Sequence, residues 1–214
     1  MDGSQGPGRE LPRRLVQLYA GLVLYGASAG LMVRADLGLS PWDVFHQGVA
    51  THLGLSIGAV SIAVGALVLL AWWPLRERPG LGTVSNVILV GLSLDALLAL
   101  VPEQHATASR VALLCAGILL NGLATGLYIA ARFGAGPRDG LMTGLHRVTG
   151  RSVRLVRTLI ELTVLACGFA LGGGLGVGTL AYAVAIGPLA QASLRYFTPP
   201  PRATGPTEGA ILRP

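Results

Sequence analysis

Apolar residues fall in long blocks separated by short polar gaps. Leu15 to Val33 and Ser56 to Pro74 hold no charged residue, and Leu81 to Val101 holds only Asp95. Val111 to Ala131 and Gly176 to Leu194 are also uncharged, while Leu155 to Leu171 carries Arg157 and Glu161. A helix needs about 20 apolar residues to cross a hydrocarbon layer roughly 30 Å thick. The blocks therefore predict six membrane-crossing helices. Two further segments, Pro41 to Leu53 and Pro137 to Thr149, have 13 residues each. They reach only about 20 Å at the rise of an α-helix, too short to cross, and are expected as half-helices.

The pattern occurs twice. Displacing the chain by 96 residues aligns Gly21–Asp95 with Gly117–Gln191 without a gap, pairing Pro41 with Pro137, Asp43 with Asp139 and Gly82-Thr83 with Gly178-Thr179. Each copy holds three crossings, so the second enters the membrane from the opposite side. That is the logic of the inverted repeat common among secondary transporters. The expected fold is all-α, with six transmembrane helices, two half-helices and two three-span inverted repeats. The expected division is a cytoplasmic tail at 1–14, one repeat at 15–101, an outer loop at 102–109, the second repeat at 110–197 and a disordered cytoplasmic tail at 198–214.

Composition agrees with burial in lipid. Charged residues make up 12% of the chain and apolar residues 52%, against roughly 25% charged in a soluble domain. The net charge of +6 is spread over the short gaps, so no dense basic face for nucleic acid is expected. Cys115 and Cys167 lie deep in apolar blocks; they are expected as small buried residues rather than a disulfide framework. Of the 16 basic residues, all arginine, only Arg34 and Arg110 fall outside when six spans are drawn with both ends cytoplasmic. This asymmetry satisfies the positive-inside rule, and drawing the short segments as crossings weakens it. The start of the chain imitates a signal peptide, with Arg13-Arg14 before an apolar run and Ala27-Ser28-Ala29 after it. Its counterpart in the second copy argues that the first span is retained.

The duplicated core reads Gly38-Leu39-Ser40-Pro41-Trp42-Asp43 and Gly134-Ala135-Gly136-Pro137-Arg138-Asp139. It has the chemistry of a helix start: a cap at Ser40 or Gly136, proline at the first helical position, aspartate in the first turn. Clean initiation alone would account for both motifs. The functional alternative is that both helices dip into the protein and frame a central site, because irregular backbone at membrane depth needs protein or a watery cavity around it. Ser40, Asp43, Arg138 and Asp139 are then candidate contacts for a small solute or ion.

Asn121 and Glu161 join this set as polar groups within spans, which are costly in lipid and tend to face the bundle interior. Glu161 stands one turn after Arg157, so an intrahelical pair is the simpler account of it. Asn121 and Thr125 share a face, where interhelical hydrogen bonding serves as well as solute contact. Asp95, near the outer end of its span, is read as facing water. The histidines show no metal-ligand spacing, and no cofactor is expected. Gly26-x-x-x-Gly30 and Gly122-x-x-x-Gly126 are expected to pack helices closely, within the chain or in a homodimer. The glycines at 172–178 lack the Gly-Lys-Ser/Thr ending of a phosphate loop.

The glycine-rich first span, Gly38-x-Ser40-Pro41-Trp42-Asp43 and Leu53-Gly54-Leu55-Ser56-Ile57-Gly58 together resemble the YczE/YitT-like family of bacterial integral membrane proteins. The likeness runs from about Leu15 to Tyr196. It implies a polytopic protein of the bacterial cytoplasmic membrane and brings no assigned substrate or catalytic residue. The leading expectation is a small-solute or ion secondary transporter. Its rival is a non-transporting accessory protein that stabilises or modulates another membrane complex. An enzyme is not expected, since no nucleophile–base pair or metal cluster is legible.

Overall fold

The structure, a computed structural model, describes residues 7–198. Among these, eight helices follow one another: α1 Pro7–Ala35, α2 Pro41–Leu53, α3 Ile57–Leu75, α4 Leu81–Leu100, α5 Thr107–Ala130, α6 Pro137–Thr149, α7 Val153–Ala170 and α8 Val177–Phe197. No strand occurs among the described residues. The tail expected as disordered lies, beyond Thr198, outside the described residues. At the other end α1 already begins at Pro7 rather than Leu15; proline near a helix start gives up only an amide that has no partner there.

Among the described residues five helices, not six, are long and apolar enough to cross a membrane: α1, α3, α4, α5 and α8. The exception, α7, has only 18 residues and carries Arg154, Arg157 and Glu161. Both 13-residue segments are helical over the expected residues, α2 and α6.

Loop geometry explains where the helices stop. Among the described residues, positive φ occurs at Asp36, Gly38, Gly54, Arg76, Arg132, Gly134, Gly150 and Gly172. They fall into four pairs separated by 96 positions. At Gly38 (φ 114°) and Gly134 (φ 121°) the turn before each short helix enters a region that side chains resist.

At the centre α1 packs against α4 and α5, and α5 packs against α8; α3 pairs with α4 and α6, and α2 with α3 and α7. The GxxxG glycines act within the chain. A Cβ at Gly26 would strike Val90 and Ser93 of α4, and one at Gly122 would strike Leu189 of α8. Gly30 faces Leu94 and Leu97 in the same manner, and Gly126 faces Ser193. The glycines near 172–178 make ordinary structural contacts: Gly173 N donates to Gly168 O (2.8 Å) and Gly174 N to Gln47 Oε1 (2.6 Å). Cys115 and Cys167 are exposed on the protein surface rather than buried. An apolar stretch in a lipid-facing helix does not distinguish lipid from protein interior.

Contacts between distant segments come in exchanged pairs. Gly82 N donates to Phe133 O (2.9 Å), and Gly178 N to Leu37 O (2.7 Å). Arg14 Nε donates to Ala131 O (3.0 Å), and Arg110 Nε to Ala35 O (2.8 Å). A Cβ at Gly48 would meet Leu171, and one at Gly144 would meet Leu75. In each case, moving one partner forward by 96 and the other back by 96 turns the first contact into the second.

Candidate functional site

The starts of α2 and α6 come together beside α1, α5 and α8. Trp42 and Arg138, which occupy corresponding places in the two motifs, touch directly: the guanidinium carbon lies 4.8 Å from the indole centroid. Around this pair is a cavity of about 310 Å³, lined among others by Tyr25, Ser40, Arg138, Asp139, Glu161 and Tyr182. A second, smaller lobe of about 80 Å³ shares Tyr25, Trp42, Tyr128, Arg138 and Asp139 and reaches His46 and Asn86. The walls thus come from both halves of the chain.

The first helix start is a sealed unit. The Ser40 hydroxyl accepts from the Asp43 amide (3.3 Å), as an N-cap should, and also donates to Asp43 Oδ2 (2.5 Å). Asp43 is buried, and its other oxygen stands 3.6 Å from Nδ1 of the equally buried His46. Asp43 does not line the cavity, whereas Ser40 and His46 do.

The second start is held differently. Gly136 supplies no side-chain cap. The Trp72 indole donates to Pro137 O (3.0 Å), and Thr83 Oγ1 donates to Ala135 O (2.7 Å), so neighbouring helices fix the backbone. Asp139 is exposed and accepts from the Tyr128 hydroxyl (3.1 Å). Pro41 and Pro137 each occupy the first turn, as their fixed φ favours.

Two remaining candidates separate. Glu161 faces the cavity and pairs with Arg157 (2.9 Å) one turn away. Asn121 does not reach the cavity. It is buried between helices, donating to Ser28 Oγ (2.8 Å) and accepting from the Tyr182 hydroxyl (3.1 Å), so it orients a cavity-lining tyrosine.

Sequence reading missed three features. Trp42 joins Arg138 across the motif pair, and only their shared place in the two copies hinted at it. His46 is buried beside Asp43; its spacing three residues after the aspartate was the available signal. Asp95 does not simply face water: it is half-buried and accepts from Ser56 Oγ (2.5 Å) and Gly58 N (2.8 Å), tying the start of α3 to α4. Among the described residues no group of three His, Cys, Asp or Glu side chains could hold a metal ion.

The seams on either side of the cavity differ. Along α3–α4, Gly58 lies against Gly91 O and Asp95, and Gly91 against Gly58 O and Ile62. The corresponding helices α7 and α8 do not pack as a pair. Nothing lies within 4 Å of the Cβ position at Gly187, the counterpart of Gly91.

A chain that is all-α over the described residues, with five helices there long and apolar enough to cross a membrane, is a multi-pass membrane protein, and the lipid bilayer is its surroundings. The chain belongs to the family described as "Family of unknown function (DUF6198)", which it matches over residues 12–195. It is similar to an uncharacterized protein of Haemophilus influenzae, 40% identical over 170 residues covering 79% of this chain and 78% of that one. It is also similar to the uncharacterized membrane protein YczE of Bacillus subtilis, 34% identical over 87% of both chains. A third relative, the uncharacterized protein YyaS of Bacillus subtilis, is 25% identical over 75% of this chain and 82% of its own length. No solved structure matches.

Proposed function

We propose that the protein is a secondary transporter for a small solute or ion, built as an inverted repeat with its site where α2 and α6 meet. In this reading α2 and α6 are re-entrant half-helices and α7 is the sixth crossing. Its 18 residues extend about 27 Å, and its arginines lie toward one end. The exchanged contact pairs and the paired positive-φ residues support a pseudo-two-fold relation between the halves.

The observation that carries the reading is the unequal state of two corresponding seams around one cavity. Alternating access requires a site that opens to one side while sealed from the other. The α3–α4 seam is closed by Gly58, Gly91 and Asp95, while the α7–α8 seam is open at Gly187. With both termini on the cytoplasmic face of a bacterial cell membrane, the open seam faces inward. Arg34 and Arg110, the two arginines then on the outer face, are each paired with an acid, Glu103 (3.5 Å) and Asp36 (2.9 Å). The cavity's polar groups suit recognition rather than bond making, so the proposal is of a non-enzymatic protein.

A second reading draws on the same open seam. Leu180, Val184 and Phe169 are exposed on α8 and α7, and a helix of another membrane protein seated there would make the chain an accessory subunit. Closure of the seam separates the two. In a background with Cys115 and Cys167 replaced by serine, Thr158→Cys and Gly187→Cys stand where Ile62 and Gly91 touch in the closed seam. Transport predicts that mild oxidation in native membranes joins them. If they never join, the seam does not close and the accessory reading takes over.

A further inference from the structure

We infer that the cavity takes a small monocarboxylate, its carboxylate on Arg138 and its apolar body against Trp42, Tyr25 and Tyr182; this rests on reading the cavity as a solute site. Four charged side chains line the larger lobe, and three are already engaged. Arg157 and Glu161 hold each other at 2.9 Å, and Asp139 accepts the Tyr128 hydroxyl. Buried behind the wall, Asp43 accepts from Ser40 and stands 3.6 Å from His46 Nδ1, a buried nitrogen with no hydrogen-bond partner of its own. Arg138 differs from all of these. Among the described residues its guanidinium forms neither an ion pair nor a hydrogen bond, although it is half-buried over the Trp42 ring.

An aromatic face attracts the cation but accepts none of its five N–H groups in the plane of the fork. Beside it, the buried Trp42 Nε1 also has no partner. The indole nitrogen is sealed from the cavity, but the guanidinium lines it, and a fork of donors without an acceptor calls for a ligand that only accepts. A carboxylate matches the guanidinium fork with two parallel hydrogen bonds, which a spherical anion cannot do. Much of the remaining lining is aromatic or aliphatic, including Met142 and Ile186, so the rest of the ligand is apolar. The volume, about 310 Å³, sits at the small end of the roughly 300–1,000 Å³ typical of ligand sites, which restricts that body to about one ring.

The test uses the full chain in lipid nanodiscs and three probes of one shape: benzoate, benzamide and benzylamine. Calorimetric titration should detect benzoate alone. Arg138→Gln should weaken it about 10- to 100-fold, the range for a lost charge-assisted pair, and Arg138→Lys less. Arg78→Gln, on an exposed loop, should leave it unchanged. A readout free of variants is modification of Arg138 by phenylglyoxal, followed by peptide mass; benzoate should slow it and benzylamine should not. Benzamide or benzylamine binding as well as benzoate would overturn the monocarboxylate inference and leave the solute site standing. Binding by none of the three, with Arg138 modified equally in every case, would also overturn it; the transport reading would still be decided separately by closure of the α7–α8 seam.

Discussion

The helices α2 and α6 start with the same glycine, proline and aspartate at the same spacing, yet the two starts are secured by opposite means. At α2 the local sequence does the work: Ser40 caps the helix, and Asp43 is buried between that hydroxyl and His46. At α6 the local cap is missing, and the backbone is held from outside by Trp72 and Thr83. Asp139, freed from capping, lies exposed at the cavity rim. The difference continues outward. The seam beside Asp95 is closed by two glycines, while its counterpart at Gly187 is open. Shared backbone geometry with divergent side chains is what a transport site between related halves needs, because a symmetric lining would give the solute no unique pose.

The comparison breaks most sharply at the seams. Gly91→Val places methyl groups against Gly58 O and Ile62 and should cost about 3 kcal/mol, the upper end for overpacking. Gly187→Val, at the corresponding place with nothing within 4 Å, should stay within about 0.5 kcal/mol of the parent. Thermal unfolding in detergent reads both, and equal losses would sink the claim that the seams differ.

Trp72→Phe comes next. It removes the donor to Pro137 O (3.0 Å) and part of the buried ring packed on Gly140, together about 2 kcal/mol. The loss should loosen α6 selectively, so amide exchange should quicken at Gly140 before it does at Val44. Uniform quickening would show that α6 is not anchored this way.

Smaller still is Ser40→Ala, which removes the cap of α2 for about 1 kcal/mol. Smallest is Gly136→Ser, which installs the missing cap of α6; since glycine is itself a fair cap, the gain should be only about 0.3 kcal/mol. Its Cβ would sit 3.1 Å from Asp139 Oδ2, so a clear destabilisation would mean that the aspartate cannot yield. The two changes, measured by the same unfolding assay, should have opposite signs.

Much of this architecture was legible because it rests on local rules. Blocks with at most one charge marked α1, α3, α4, α5 and α8, and proline with aspartate marked α2 and α6 to the residue. Less legible was whatever depends on partners far along the chain. Periodicity could not say that Cys115 and Cys167 face outward, because lipid and protein interior select the same residues. Polarity alone groups Asn121 with the site, yet its partners Ser28 and Tyr182 place it behind the wall. The contact of Trp42 with Arg138 joins residues 96 positions apart, and only their equivalence in the two copies pointed there. The block read as a sixth span, α7, carries three charges in 18 residues, and its sequence alone does not reveal the cavity that Glu161 faces.

The central claim, one cavity between inverted halves reached from one side at a time, is tested most directly by the sidedness of two corresponding positions. Val87 and Ala183 lie 96 residues apart and line the two lobes. Each would carry the single cysteine, with Cys115 and Cys167 replaced by serine, in vesicles of known orientation challenged with a membrane-impermeant thiol reagent. The account predicts fast labelling of Ala183→Cys from the cytoplasmic face and slow labelling of Val87→Cys from the opposite face. Labelling of both from the same face would contradict it.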